Sequence, residues 1–173
     1  SSITLNGDTS GSVQIAAPAV AGSTTLTLPT TTSTLAFNGP AFSAYQSSAQ
    51  TLSTNTWTKI QFQSKEFDTN NNFDATTNYR FTPTVAGYYQ VNGVINPNTV
   101  TTRTISSIYK NGSELNRGFD QKSANTGSCV NAVVYCNGST DYIEGYLYKD
   151  GTSDLVGGSN GYTMFHGVLV RSA

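Results

Sequence analysis

Few residues in this chain are equipped for chemistry. Histidine occurs once, His166, within Tyr162–Arg171, YTMFHGVLVR. Serines are plentiful, so a Ser-His-Asp arrangement is conceivable. The strained strand-to-helix turn of a nucleophile elbow is not found, because no stretch shows a useful length of helical periodicity. Between Phe165 and Gly167, His166 reads first as a structural residue of a strand. Asp150 and Asp154 fall in the longest polar loop, Lys149 to Gly161, and read as a solvated turn. Neither a catalytic residue nor a cofactor is expected from these groups.

The two cysteines, Cys129 and Cys136, bracket CVNAVVYC, which reads as a single strand. An odd separation puts them on opposite faces, and about 3.3 Å per residue sets them some 23 Å apart. A disulfide needs α-carbons within about 7 Å, so they cannot bond within the chain. They are expected to be small buried hydrophobes, with an inter-subunit bridge as the alternative. Asn111-Gly112-Ser113 and Asn137-Gly138-Ser139 match the N-glycosylation pattern. Each is also a tight turn followed by serine, which is the simpler reading.

The elements that must position these groups are strands. Charged residues make up 11% of the 173 and net charge is −1, against roughly a quarter charged in an average domain. Ser, Thr, Asn and Gly take their place, as is common in extracellular and virion all-β proteins. The charge balance argues against nucleic acid as a partner, since counterion release needs clustered Lys and Arg. No run of about 18 apolar residues is present to insert in a membrane.

The densest aromatic stretch runs from Phe67 to Ile95. Tyr79 and Phe81 alternate with Asn78, Arg80 and Thr82, and Pro83 should end that strand. Gly87 is expected to supply a backbone angle closed to other residues. In the strand that follows, Tyr89, Val91 and Ile95 share one face and Tyr88 and Val94 the other. Large apolar groups on both faces predict a central sandwich strand, or one face on the core and one on a partner subunit. Further strands are expected at Ala41–Tyr45, Trp57–Gln63, Ile105–Tyr109, Glu114–Phe119, Cys129–Cys136, Asp141–Tyr148 and Tyr162–Arg171. Tyr142, Glu144, Tyr146 and Tyr148 should share a face, and both Asn-Gly pairs should join neighbouring strands. About ten short strands with regular turn signals read as an all-β sandwich.

The residues Phe73, Tyr79, Phe81, Pro83, Gly87 and Tyr89, read as F-x5-Y-x-F-x-P-x3-G-x-Y, resemble the globular head of the complement C1q and tumour-necrosis-factor superfamily. Phe165, Gly167 and Leu169 resemble its last strand, an aromatic-x-Gly-x-Leu pattern. Val91 and Gly93 depart from the family, which usually has further aromatics there. The resemblance covers residues 41–171 and implies a jelly-roll sandwich and a homotrimer, with Phe81, Tyr89, Val91, Phe165 and Leu169 in the trimer interface or the core. It also implies two ion sites to weigh. Three copies of His166 would converge on the threefold axis and hold a metal or anion. Glu114 and Asp120, in the loop Ser113–Gly127, lie nearest the positions where some members hold calcium, but two carboxylates make a thin set for six to eight oxygens.

Residues 1–40 differ from the rest: almost uncharged, with Phe37 their only aromatic. Short alternating pieces, Val13 with Ile15, Leu26 with Leu28 and Leu35 with Phe37, are each too short for a stable sheet alone. The run Thr24-Thr25-Leu26-Thr27-Leu28-Pro29-Thr30 resembles shaft and collar stretches of bacteriophage fibres, and three copies wound together would bury these side chains. The alternative is a disordered Ser/Thr linker. Collagen is excluded, since glycine does not recur every third residue.

The chain is therefore expected to hold an extended attachment segment over 1–40 and a jelly-roll head over 41–173. The expected function is a trimeric virion fibre or appendage at the particle surface, touching other virion proteins through residues 1–40. Its head would bind a host-surface glycan or protein. A capsid or tail decoration protein without a receptor is the alternative, and a secreted C1q-like ligand-binding module is a third reading.

Overall fold

A computed structural model of the chain describes residues 2–17, 19–20, 22–23, 25, 39–97, 103–122, 127–151, 154–156 and 161–173. The expected pieces at Leu26, Leu28, Leu35 and Phe37 lie outside the described residues. The chain divides into two compact units, Ser1–Leu35 and Ala36–Ala173. The described residues hold fifteen strands. The first unit contains β1 (Ser2–Asn6) and β2 (Ser12–Ala16). The second contains β3 (Ala41–Tyr45), β4 (Gln50–Leu52), β5 (Thr56–Lys59), β6 (Ser64–Asp68), β7 (Phe73–Asp74), β8 (Arg80–Phe81) and β9 (Ala86–Ile95). It continues with β10 (Thr104–Lys110), β11 (Ser113–Arg117), β12 (Ser128–Asn137), β13 (Ile143–Lys149), β14 (Asp154–Val156) and β15 (Met164–Ser172).

In the first unit, β1 and β2 pair antiparallel, with Ile3 opposite Ile15 and Leu5 opposite Val13. All four side chains are exposed. A lone two-stranded ribbon has too little surface to bury them.

The second unit is a sandwich of two antiparallel sheets. One has the order β12-β9-β15-β3-β6; the other runs β11-β10-β13-β8-β7, with β5 also paired to β13. A short β14-β4 ribbon adjoins. The fold is an all-β jelly-roll sandwich. Strand alternation fills the space between its layers. On β9, Tyr89, Val91, Gly93 and Ile95 point inward and are buried, while Tyr88 and Val94 point outward and are exposed. Phe42, Phe62, Phe73, Phe81 and Phe165 meet at the centre. Phe42 stacks on Phe81 at 4.3 Å between ring centroids, and Phe62 on Phe165 at 5.3 Å. Offset stacks and edge contacts at such spacings add to the burial gain.

Turn chemistry fixes the connections. Asn111 and Gly112 take φ of 52° and 78° between β10 and β11, the geometry of a type I′ hairpin. The second Asn-Gly pair joins β12 to β13, as expected, but in a different geometry. It carries the chain from β12 in one sheet to β13 in the other, so it makes a crossover and not a hairpin. The Asn137 side-chain oxygen accepts from the backbone amides of Ser139, Thr140 and Asp141, replacing the ladder partners a hairpin would supply.

Candidate functional site

The sandwich offers two outer faces of different chemistry. The face of the β12-β9-β15-β3-β6 sheet is aliphatic and amide-rich. Register places Cys129 beside Val94 and Met164, Asn131 beside Asn92 and His166, and Val133 beside Gln90 and Val168. Tyr135 and Tyr88 pack at 5.5 Å beyond them. No outward position of β9 or β12 carries a charge. Val94, Val133, Val168 and Val170 are all exposed large apolar groups. Exposed valines set among amides make this face the candidate association surface of the head.

His166 lies half-buried on this face, next to Ser43 on β3. The Ser43 hydroxyl donates to Glu66 at 2.6 Å and stands 3.0 Å from His166 Nδ1. Burial holds the imidazole below its ordinary pKa, with Glu66 opposing. In a nucleophilic triad the histidine lies between serine and acid. Here the serine lies between, and its proton already points at a carboxylate, so this is not a triad geometry.

The face of the other sheet is aromatic and ionic. On β13, Tyr146 and Tyr148 alternate with the buried Leu147 and Lys149 and stay half-buried; Glu144, of the same parity, is buried, and Tyr142 precedes the strand. Trp57 on β5 lies 5.6 Å from Tyr148, and Tyr109 on β10 stacks on Tyr146 at 3.9 Å. Burial, with Glu144 and Tyr109 nearby, pushes the Tyr146 hydroxyl up to about 12. Three ion pairs edge the rings: Lys59–Glu144 at 3.0 Å, Arg103–Asp120 at 2.9 Å and Arg117–Glu114 at 2.6 Å.

These pairs bear on the calcium candidates. Glu114 takes Arg117 on both oxygens and the Ser107 hydroxyl, while Asp120 takes Arg103. The guanidinium beside each holds its carboxyl below the ordinary range. Both carboxylates are thus committed to cations of the chain itself. Among the described residues, no three His, Cys, Asp or Glu side chains cluster to hold a metal. Asp150 is half-buried beside the polar loop, and the Asp154 side chain lies outside the described part. No helix among the described residues is long and apolar enough to cross a membrane.

The chain matches no protein-family profile and no curated protein. Solved structures do match. The globular domain of zebrafish complement 1qA aligns at TM-score 0.57 and 19% identity, over 78% of this chain and 99% of that one. Murine APRIL at pH 5.0 aligns at 0.60 and 12%, over 77% and 100%. The vertex protein P5 of PRD1 aligns at 0.56 and 14%, over 77% and 74%. The head has the complement C1q and tumour-necrosis-factor fold.

Within this C1q-like head the motif residues have distinct physical jobs. Phe81, Tyr89, Val91 and Phe165 are fully buried between the sheets, and Leu169 packs against them from the edge. Tyr89 donates to the Val85 carbonyl at 2.7 Å, and burial pushes its hydroxyl up to about 12. Gly87 differs from expectation: its φ is not in the left-handed region. A Cβ there would meet the Arg171 carbonyl oxygen at 2.4 Å and Leu169 at 2.7 Å, so close approach excludes a side chain. Gly167 is likewise bare because Phe42 lies where its Cβ would be, at 2.5 Å. Tyr79 is also not the strand residue its alternation suggests. Its φ is 50°, in the turn between β7 and β8. Asp74 builds that turn, accepting from the amides of Thr76, Thr77 and Asn78.

The cysteines lie on opposite faces of β12 and are unpaired, but only Cys136 is buried; Cys129 is exposed. Burial raises the Cys136 thiol to about 11. Both sequon asparagines are engaged through their amides. Asn111 Nδ2 donates to Asp141 at 2.7 Å, and Asn137 Nδ2 to Thr140 at 2.8 Å. Sequence reasoning did not single out Val133, Tyr135, Val168 and Val170. The signal was present as period-two alternation in β12 and β15, whose inward residues drew the attention.

Proposed function

We propose that this chain is the head and attachment segment of a homotrimeric virion appendage. Three heads meet through the valine-rich face, residues 1–40 form a fibrous segment that engages other virion proteins, and the outer surface of the head binds a host-surface glycan. The observation that carries the reading is that face: four exposed valines on a sheet whose outward β9 and β12 positions have no charge. The C1q-like fold and the likeness to a vertex protein support a place on a particle. Its work would be adhesion without catalysis, in which repeated weak contacts add up to lasting attachment.

The reading is tested on the assembled particle by electron cryo-microscopy. A trimeric head projecting on a stalk is the expected result. A head lying flat on the shell would replace adhesion with decoration. A monomeric head would refute the assembly.

A further inference from the structure

The aromatic-ionic face of the second sheet has a composition the fold does not require. A solvent face is normally filled by Thr, Ser, Lys or Glu. Here Trp57, Tyr109, Tyr146 and Tyr148 form a connected set of half-exposed rings. Trp57 is tilted 55° to Tyr148 and 56° to Tyr109, so the rings make a notch and not a flat floor. Trp57, Tyr148 and Ile105, with Arg103 and Arg117, line a cavity of about 150 Å³. Pockets that enclose whole small molecules measure roughly 300–1,000 Å³, so this one suits a single ring.

We infer that this notch receives one neutral pyranose at the end of a glycan, stacked on Trp57 and Tyr148 and held at its hydroxyls by the Arg117–Glu114 and Arg103–Asp120 pairs. A pyranose has an apolar C–H face and a rim of hydroxyls. The face matches the rings, and the rim matches the planar guanidinium groups, whose N–H donors not turned to a carboxylate can bond neighbouring hydroxyls. Charge decides between neutral and anionic sugars. Each arginine already has a carboxylate, at 2.6 Å and 2.9 Å, so the set sums to zero. An anionic ligand would have to break an ion pair, whereas a neutral one adds hydrogen bonds and leaves both intact. Arg117 lies over the Trp57 ring at 5.1 Å and Arg103 over Tyr148 at 5.4 Å, so each guanidinium takes one face of its ring and the sugar must stack on the opposite face or displace the arginine. The inference deepens the receptor-binding reading above and rests on it.

Trp57 is the only tryptophan of the chain, so its emission reports on the notch directly. The intact protein is titrated with the methyl pyranosides of glucose, galactose, mannose and N-acetylglucosamine, and with N-acetylneuraminic acid as the anionic probe. Saturation-transfer NMR is run alongside. At least one neutral glycoside is expected to shift the emission saturably and to receive transfer on its ring protons. Tyr148→Ser should weaken it about tenfold, the size of one aromatic contact. Arg117→Gln, at an exposed position, serves the same purpose if Tyr148→Ser melts early. Four results overturn the inference: no neutral glycoside binds up to its solubility limit, only the anionic sugar binds, binding survives both variants, or Tyr148→Ser lowers the oligomeric mass, which would put a second copy on this face. The receptor-binding reading fails separately. A trimer that adheres to a glycan-coated surface undiminished by Tyr148→Ser keeps that reading and loses the notch. One that binds free glycoside in the notch but adheres to no coated surface does the reverse.

Discussion

Val133→Asp should turn the trimer into single chains. Val133, Val168 and Val170 are 61%, 47% and 59% exposed, so about half of each valine's surface remains in water. Full burial of a valine side chain is worth about 1.5–3 kcal/mol, so each has ~1 kcal/mol left to gain. Summed over three valines and three chains this is ~9 kcal/mol, comparable to the ~4–15 kcal/mol cost of association. Losing Val133 from every chain removes ~3 kcal/mol, more than a hundredfold in the association constant. The aspartate adds several kcal/mol per chain for a carboxylate stripped of water without a partner. Light scattering after size exclusion should show three chains for the parent and one, 18.4 kDa, for the variant. Leu115→Asp, at a 47% exposed position on the other sheet, is the control and should leave the mass unchanged. Because residues 1–40 of the proposed fibrous segment would hold chains together by themselves, Cys129 provides a second readout on the valine face: it should react slowly with a thiol reagent in the parent and quickly in the variant. The reasoning is refuted by a parent that runs as one chain, or by a variant that stays trimeric with Cys129 as shielded as before.

Cys136, buried and raised to about 11, should stay unreactive in both proteins until denaturant is added, as an Ellman titration would show. Gly167→Ala places a Cβ against Phe42 and should cost about 1–3 kcal/mol of stability in a denaturant melt; an unchanged midpoint would mean the ring has room to move. Asp74→Ala removes the acceptor of three backbone amides in the β7–β8 turn and should cost about 1–2 kcal/mol. The Asp74 carboxyl is held far below its ordinary pKa, first by the Thr77 amide, so its contribution is present above about pH 4 and fades as pH falls below that. His166 is depressed by burial, so folding favours its neutral form: the parent should lose stability as pH drops below about 6.5, and His166→Gln should flatten that part of the profile.

The fold was legible because inward positions obey alternation. Tyr89, Val91 and Ile95 on β9, and the tyrosines of β13 against Ile143 and Leu147, sort by parity alone. The errors share a cause: local signals do not carry long-range distances. Gly87 offers the same letter whether it needs a left-handed φ or bare space, and only the approach of Arg171, far along the chain, decides. Asn137-Gly138 reads like Asn111-Gly112, yet one crosses between sheets because β12 finds its partner in β9. Glu114 and Asp120, already a thin set for calcium by sequence, prove to lie beside Arg103 and Arg117, which no local signal foretold. Cys129 was expected inside because its strand reads apolar, but its parity matches Val133, on the outward side.

The two outer faces are not interchangeable, and dehydration explains why. Copies that pack together must strip water from the surfaces they share. Valines and tyrosine rings gain from that, and the amides of Asn92 and Asn131 can pair with their counterparts. The other face carries three ion pairs beside its rings. Burying the exposed Arg103–Asp120 and Arg117–Glu114 pairs under a protein surface would cost several kcal/mol per ion against the aromatic gain. A sugar ring asks for less: it covers the rings while its hydroxyls, and the water around them, keep the charged groups solvated. A surface of aromatic rings set among ion pairs therefore favours a small, wet, polar ligand over a second chain. Moving the ion pairs should move the preference. Replacing Arg117 and Glu114 together by leucine leaves net charge unchanged and removes the dehydration penalty of one of the three pairs. That variant should self-associate beyond the trimer in sedimentation velocity while losing affinity for methyl glycosides. If it stays trimeric and its glycoside affinity is unaltered, the polarity of the second face does not set its partner.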